Sequence, residues 1–169
     1  KKNIFLHQNA FGRAVFNHDN ALTDSFAPEA RGQVFLFSRR EPVENGAWLR
    51  ADGMIMMRVN GEETEVFPAK DIRIPGNHNI ENYMTAIAAV WGRVDIAHMH
   101  EVAQRFPGVE HRAELVRELD GVRYYNDSIA SSPTRTIAGL HSFDRRVILI
   151  AGGYDKHIPF DALGPEVCA

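Results

Sequence analysis

Asn79 and Asn82 lie three residues apart, so on a helix their amides share one face and can offer donors and acceptors to a purine edge. Asparagines at a helix start can equally serve as caps. His111-Arg112 follows a Pro107-Gly108 break, where the guanidinium could hold a phosphate through two parallel hydrogen bonds, or pair on the surface with Glu110 or Glu114. Asp127 follows a β-prone run and precedes a serine-rich turn; its carboxylate could accept hydrogen bonds from a ribose diol, or close an Asx turn on its own backbone. Lys156 comes after Gly152-Gly153, an arrangement that lets a phosphate or carboxylate approach the backbone beside a point charge. A solvated loop lysine is the alternative there. The Asp127 and Lys156 turns each follow a strand-like run, and the carboxyl ends of neighbouring strands are where open α/β sheets bind ligands.

Other chemistries have less support. No Gly-Lys-Ser or Gly-Lys-Thr follows a glycine-rich loop, and Gly152-Gly-Tyr-Asp-Lys156 is not a dinucleotide fingerprint. His98 and His100 are two apart in a predicted helix, which turns them to different faces, so no zinc site is expected. A net charge of −3 provides no general attraction to nucleic acid or to an anionic membrane. No apolar run approaches the roughly 20 residues of a spanning helix, and the lysine-led start has no signal-peptide core. The single cysteine, Cys168, excludes an internal disulfide and fits a reducing compartment. Lys1 in place of an initiator Met suggests an excised or processed piece.

The elements that must hold these residues read as α/β. Residues 13–18 and 33–38 are short β-prone runs, with helix-start chemistry at Thr23 and Asp24 between them, which makes a β-α-β unit. Asp52-Gly53 and Asn60-Gly61 are two-residue hairpin signals around a strand that sets Ile55, Met57 and Val59 on one face, so an antiparallel three-strand meander ending near Pro68 is predicted. Ile80, Met84, Ile87, Ala88 and Trp91 recur at helical spacing behind Gly76-Asn-His-Asn79. A second helix spans 96–106, and the Pro107-Gly108 break marks a domain boundary. Beyond it come a strand pair, 113–119 and 122–126, turned by Asp120-Gly121, and a helix over about 133–143 with Ser132 as cap and Pro133 at its first position. A strand at 147–151 then launches a helix over 159–167, and the domain they belong to is expected to be cut short.

Four motifs, taken in order, resemble the Mur ligases: Gly76-Asn-His-Asn-Ile-Glu-Asn82, Phe106-Pro-Gly-Val-Glu-His-Arg112, Asp120-Gly-Val-Arg-Tyr-Tyr-Asn-Asp-Ser128 and Ile150-Ala-Gly-Gly-Tyr-Asp-Lys156. The resemblance covers nearly the whole chain. It implies a three-domain cytoplasmic enzyme with a UDP-holding domain, a central P-loop-type ATPase domain containing a β-meander, and a Rossmann-like C-terminal domain that receives an amino acid. Residues 1–108 would be the latter part of the central domain, without its P-loop, and 109–169 the truncated start of the C-terminal one.

The implied chemistry moves the γ-phosphate of ATP, with Mg²⁺, onto the carboxylate of UDP-N-acetylmuramoyl-L-alanine in peptidoglycan biosynthesis. The amine of D-glutamate then attacks the acyl phosphate. Such a site must neutralise the transferring phosphoryl, align two substrates and exclude water. By the resemblance Asn79 and Asn82 flank adenine, Asp127 holds the ribose, and Arg112 reaches the phosphates with His111 beside it. Lys156 pairs with the D-glutamate carboxylate, Ser131 falls where a Thr often touches the same ligand, and Lys1 matches a carbamylated lysine that helps position Mg²⁺. Ile129 departs from the family, many members of which have Lys there. Two alternatives stay open: another Mur-type ligase, such as one resembling folylpolyglutamate synthetase, and a non-catalytic nucleotide-binding module. The piece alone is expected to be inactive.

Overall fold

The computed structural model describes residues 2–154 and 156–168, and its chain divides into two units, Lys1–Arg73 with Asn79–Phe106 and Ile74–His78 with Pro107–Ala169. The fold is α/β with a mixed sheet. Among the described residues no helix is long and apolar enough to cross a membrane.

The first unit begins with a short helix α1 (Asn3–Leu6), then strand β1 (Arg13–Asn17), helix α2 (Ala21–Asp24), a 3₁₀ turn at Ala27–Glu29, and strand β2 (Gln33–Ser38) parallel to β1. The β-α-β expectation holds, but the helix start is displaced. Asn20, not Thr23 or Asp24, is the cap: its Oδ1 accepts the N–H groups of Leu22 and Thr23, each at 3.1 Å. Asp24 is instead engaged by His18. Alternation along β1 buries Ala14 and Phe16, which meet Phe5 of α1, the two phenyl rings edge to face at 5.1 Å.

Strand β3 (Gly46–Leu49) runs parallel to β2, and β4 (Met54–Val59) and β5 (Glu62–Pro68) follow antiparallel, so the order is β1-β2-β3-β4-β5 in one sheet. The predicted meander is therefore the edge of the sheet that the β-α-β unit starts. Ile55 and Met57 are fully buried, while Met56, on the opposite face, is covered by Val43 and Trp48; Val59 is only half-buried. Both faces of the middle of the sheet are thus covered, as parallel pairing usually requires. The Asn60-Gly61 turn has positive φ at both residues, 53° and 84°, the type I′ geometry that matches strand twist. Asp52-Gly53 does not form a two-residue turn. Only Gly53 has positive φ there, and the loop closes through Gly53 N–H to Arg50 O at 2.9 Å, while Asp52 Oδ1 accepts from Met54 N–H at 3.1 Å.

Helix α3 (Asn77–Val90) buries Met84, Ile87 and Ala88, and α4 (Ile96–Arg105) buries Met99 and Ala103. Trp91, which the spacing placed on the α3 stripe, lies just beyond the helix and is half-buried. His100 of α4 stacks on Phe67 of β5 with ring centroids 5.1 Å apart, and its Nε2 lies 2.7 Å from Asp71 Oδ2.

The second unit holds the antiparallel pair β6 (Glu114–Leu119) and β7 (Val122–Asn126), joined by Asp120-Gly121 at φ 51° and 79°, then helix α5 (Pro133–Leu140) and helix α6 (Leu163–Cys168). Pro133 is the first residue of α5, but the Ser132 side chain makes no capping hydrogen bond and the helix stops before 143. Residues 147–151 form no strand. An extended run becomes one only when a neighbour takes its N–H and C=O groups. No described residue does so, and Ile148 and Ile150 are 95% and 93% exposed. The helix predicted over 159–167 is also shorter and later, beginning at Leu163 after a turn in which Leu163 N–H donates to Phe160 O at 2.9 Å.

Candidate functional site

The chain between α4 and β6 carries Arg112 on an unusual turn. Arg112 N–H donates to Val109 O at 3.1 Å, and both flanking residues have left-handed backbones, His111 at φ 63° and Ala113 at φ 43°. A side chain in this region costs of order 1–3 kcal/mol per residue and persists only where surrounding contacts fix it. Four contacts do so here. Glu114 Oε2 accepts the His111 N–H at 2.8 Å, Asp127 Oδ1 accepts the Ala113 N–H at 3.0 Å, His111 O accepts the Ile129 N–H at 3.2 Å, and Asn126 Nδ2 lies 2.8 Å from His111 Nδ1. Asn126 Oδ1 takes the Ser128 N–H at 3.1 Å, so the amide faces His111 with its donor and a neutral ring keeps its proton on Nε2.

This arrangement decides between several readings left open by the sequence. The Asx turn at 126–128 is made by Asn126, not Asp127, whose carboxylate instead crosses to the arginine turn. Glu114 is occupied by the backbone of His111, and Arg112 is exposed with no ion pair to Glu110 or Glu114 among the described residues. His111, Arg112 and Asp127 are brought together by one hydrogen-bonded turn. Its guanidinium is left available to an anion.

Asn82 donates through Nδ2 to Asn79 Oδ1 at 3.3 Å, with Asn79 buried and Asn82 exposed on α3, so the amides do share a face. Ser131 is exposed next to α5, its N–H turned back to Ile129 O at 2.8 Å. Lys156 is exposed and makes no hydrogen bond or ion pair among the described residues. Lys1 lies outside the described residues.

Sequence reading passed over a polar cluster at the carboxyl ends of β1 and β2. Asp19 accepts from the buried Ser38 hydroxyl at 2.6 Å and from Arg39 N–H at 2.8 Å, and Ser38 Oγ accepts the N–H groups of Arg40 and Glu41. Arg39 Nε donates to Glu81 Oε1 of α3 at 2.7 Å, which ties the helix bearing Asn79 and Asn82 to the sheet. Only the Asn17-His-Asp-Asn20 spelling could have flagged this cluster. Its hydrogen bonds fix the turn that follows β2 against the end of β1.

Beside it, His18 Nδ1 is 2.7 Å from Asp24 Oδ1 and Nε2 is 3.5 Å from Glu41 Oε1. The Asp24 hydrogen bond raises the His18 pKa above its ordinary 6.5, partial burial opposes the rise, and the charges of Asp24, Glu41 and Asp19 add to it. Because the folded value is raised, the stabilisation is fully present below 6.5 and is lost as pH rises through the folded value. An NMR titration of the ring is expected to give a midpoint above 6.5 that falls back in Asp24→Asn. An unchanged midpoint in that variant would disprove the assignment.

Comparison with known proteins bears on both units. Residues 1–90 match the Mur ligase middle domain family. The chain is 59% identical over 167 residues to the UDP-N-acetylmuramoylalanine--D-glutamate ligase of Acetivibrio thermocellus, covering 99% of this chain and 36% of that protein. It is 52% identical over 166 residues to the ligase of the same name from Clostridium novyi, covering 98% of this chain and 35% of that one. The chain therefore spans about a third of the length of these curated relatives. In three dimensions it is similar to MurF from Acinetobacter baumannii, with a TM-score of 0.64 over 85% of this chain and 32% of that one; at 15% identity the likeness concerns the fold alone.

Proposed function

The chain belongs to the Mur ligase family, and on that premise we propose that the protein it contributes to is a cytoplasmic, ADP-forming ligase of peptidoglycan biosynthesis. It joins D-glutamate to UDP-N-acetylmuramoyl-L-alanine. The observation that carries this reading is the 59% identity to a D-glutamate ligase across 99% of the chain, which takes in both units. It favours D-glutamate over a folylpolyglutamate-type reaction. Residues 1–108 are read as part of the P-loop-type ATPase domain and 109–169 as part of the Rossmann-like domain receiving the amino acid.

In this reading the acceptor carboxylate attacks the γ-phosphorus of ATP and ADP leaves; the D-glutamate amine then attacks the acyl carbon, forming the amide and releasing phosphate and a proton. Asn79 and Asn82 bind the adenine edge and Asp127 the ribose hydroxyls. One Asp127 oxygen already accepts from Ala113, but a carboxylate has about four acceptor positions. Arg112 meets the phosphates, where a preorganised guanidinium stabilises charge that develops on the transferring group. His111 stands beside it. Lys156 and Ser131 hold the D-glutamate. Phosphoryl transfer in this class runs with Mg²⁺, which when bound would neutralise charge on the phosphate oxygens. Lys1, once carbamylated, would help position the ion; among the described residues no group of three His, Cys, Asp or Glu side chains could hold a metal, and no step runs through it.

Phosphate release by the full-length protein should require ATP, UDP-N-acetylmuramoyl-L-alanine and D-glutamate together. Arg112→Ala should lower kcat/KM for ATP by roughly a hundredfold or more. The 169-residue chain alone should release none. ATP binding by the full-length protein without phosphate release would replace the ligase reading with that of a nucleotide-binding module.

A further inference from the structure

We infer that Gly139 and Glu114 are positioning residues for Arg112, an inference that rests on the proposal that Arg112 meets the ATP phosphates. Neither has a place among the residues that the family resemblance assigns to a ligand. Their role follows from how the arginine turn is held. His111 and Ala113 flank Arg112 with φ of 63° and 43°, and each of those two residues has its N–H taken by a carboxylate, Glu114 Oε2 at 2.8 Å and Asp127 Oδ1 at 3.0 Å. Without these acceptors both residues would relax towards ordinary backbone, and Arg112 between them would swing with the turn.

Gly139 explains how Asp127 reaches that position. It lies in the last turn of α5 with no positive φ, so its backbone does not itself call for glycine, and glycine is a poor helix former. A Cβ built on Gly139 would sit 2.9 Å from Asp127 Oδ2. The carboxylate occupies the space a side chain would fill. Asp127 therefore leans against the helix backbone with one oxygen and holds the arginine turn with the other. An alanine there would favour the helix while displacing the carboxylate by a few tenths of an ångström, which lengthens its hydrogen bond to Ala113.

That opposition of signs gives the test, done in the full-length ligase with ATP as the varied substrate. Gly139→Ala is expected to raise the KM for ATP several-fold, less than the roughly hundredfold effect that a misplacement near 1 Å can bring, because the carboxylate need move only a few tenths of an ångström. The KM for D-glutamate should stay unchanged and the unfolding temperature should not fall. Glu114→Ala should act in the same direction, and Glu114→Gln, which keeps an acceptor, should restore most of the loss. In an Arg112→Ala background Glu114→Ala should have no further effect, since the cycle isolates coupling to the guanidinium, whereas Gly139→Ala should keep only the smaller part of its effect that passes through Asp127 to the ribose. ATP kinetics within about twofold of wild type in either single variant, with Arg112→Ala impaired, overturns the assignment for that residue and leaves the Arg112 reading intact. A Glu114→Ala effect that persists without Arg112, or a Gly139→Ala effect undiminished without it, reveals a role independent of the guanidinium and overturns that residue's assignment too. If Arg112→Ala is itself silent, the underlying reading fails first. Should Gly139→Ala not fold, Glu114→Ala against Glu114→Gln decides the matter.

Discussion

Gly46→Ala is expected to destabilise the five-stranded sheet by about 3 kcal/mol or more, read as a fall in the urea midpoint of the chain. Residues 39–45 leave β2 at Ser38 and return the chain to pair Gly46 with Leu36 in parallel. The return is short, so the two backbones meet closely. Leu36 N–H donates to Asn45 O at 2.9 Å, and Asn45 Nδ2 donates to Val34 O at 2.7 Å. Gly46 sits at φ 141°, and a Cβ there would lie 1.9 Å from Leu36 O and 2.7 Å from Leu36 N. Those are backbone atoms of a central strand, which cannot rotate aside as a long side chain would. Relief requires β3 to move away from β2, exposing Ala47 and Trp48, which are 0% and 4% exposed. Gly53→Ala is the control: it has φ 86° with nothing within 4 Å, so only the backbone preference is lost, about 1 kcal/mol. Equal losses in the two variants would show that close approach at Gly46 is not what constrains the strand.

The same position marks a boundary of what the sequence discloses. Short β-prone runs identified β1 and β2, the hairpin signals identified β4 and β5, and period-3.6 spacing identified α3, while Asn60-Gly61 and Asp120-Gly121 declared their turns through residues that tolerate positive φ. Gly46 gave no such sign. Its meaning depends on Leu36, and the joining of the meander to the parallel strands is a tertiary fact. The segment 147–151 failed in the opposite way, being β-prone in composition yet unpaired in space.

In the second unit, the residue types of Arg112 and Asp127 were legible from spaced motifs, whereas the contacts that orient them were not. Glu114 looked like an ion-pair partner for Arg112 and turned out to hold the backbone of His111. Asp127 was weighed between a ligand and its own turn, and its partner is Ala113. In each case the local sequence offered a neighbour of opposite charge or a nearby N–H, and the folded chain supplied a better aligned one.

Arg13→Met should cost about 2 to 3 kcal/mol, the scale of hydrogen bonds to a charged group set against the cost of burying it. Arg13 reads in the sequence as one polar residue of β1, but its Nη1 reaches across to the C-terminal end of α3. It donates to Ala88 O at 2.9 Å, Ala89 O at 3.2 Å and Trp91 O at 3.0 Å. Carbonyls at a helix end have no partner within the helix, and a cation there also meets the negative end of the helix dipole. The guanidinium lies 4.4 Å from the Phe35 ring centroid, a cation–π contact that fixes its plane. Two effects oppose this: burial lowers the Arg13 pKa, with Arg93 adding to the shift, and Nε is buried without a partner. The balance still favours the native arginine, since methionine removes the donors and leaves the part-buried carbonyl contacts of Ala88 and Trp91 unmade. Arg13→Lys should recover part of the loss, having the charge without the planar fork. Amide exchange should quicken at the end of α3 in the methionine variant. Asn82 lies six residues before Ala88, about 9 Å along the axis, so in the full-length ligase the KM for ATP should stay within about twofold below the unfolding temperature. Unchanged exchange at the helix end would show that another group satisfies those carbonyls.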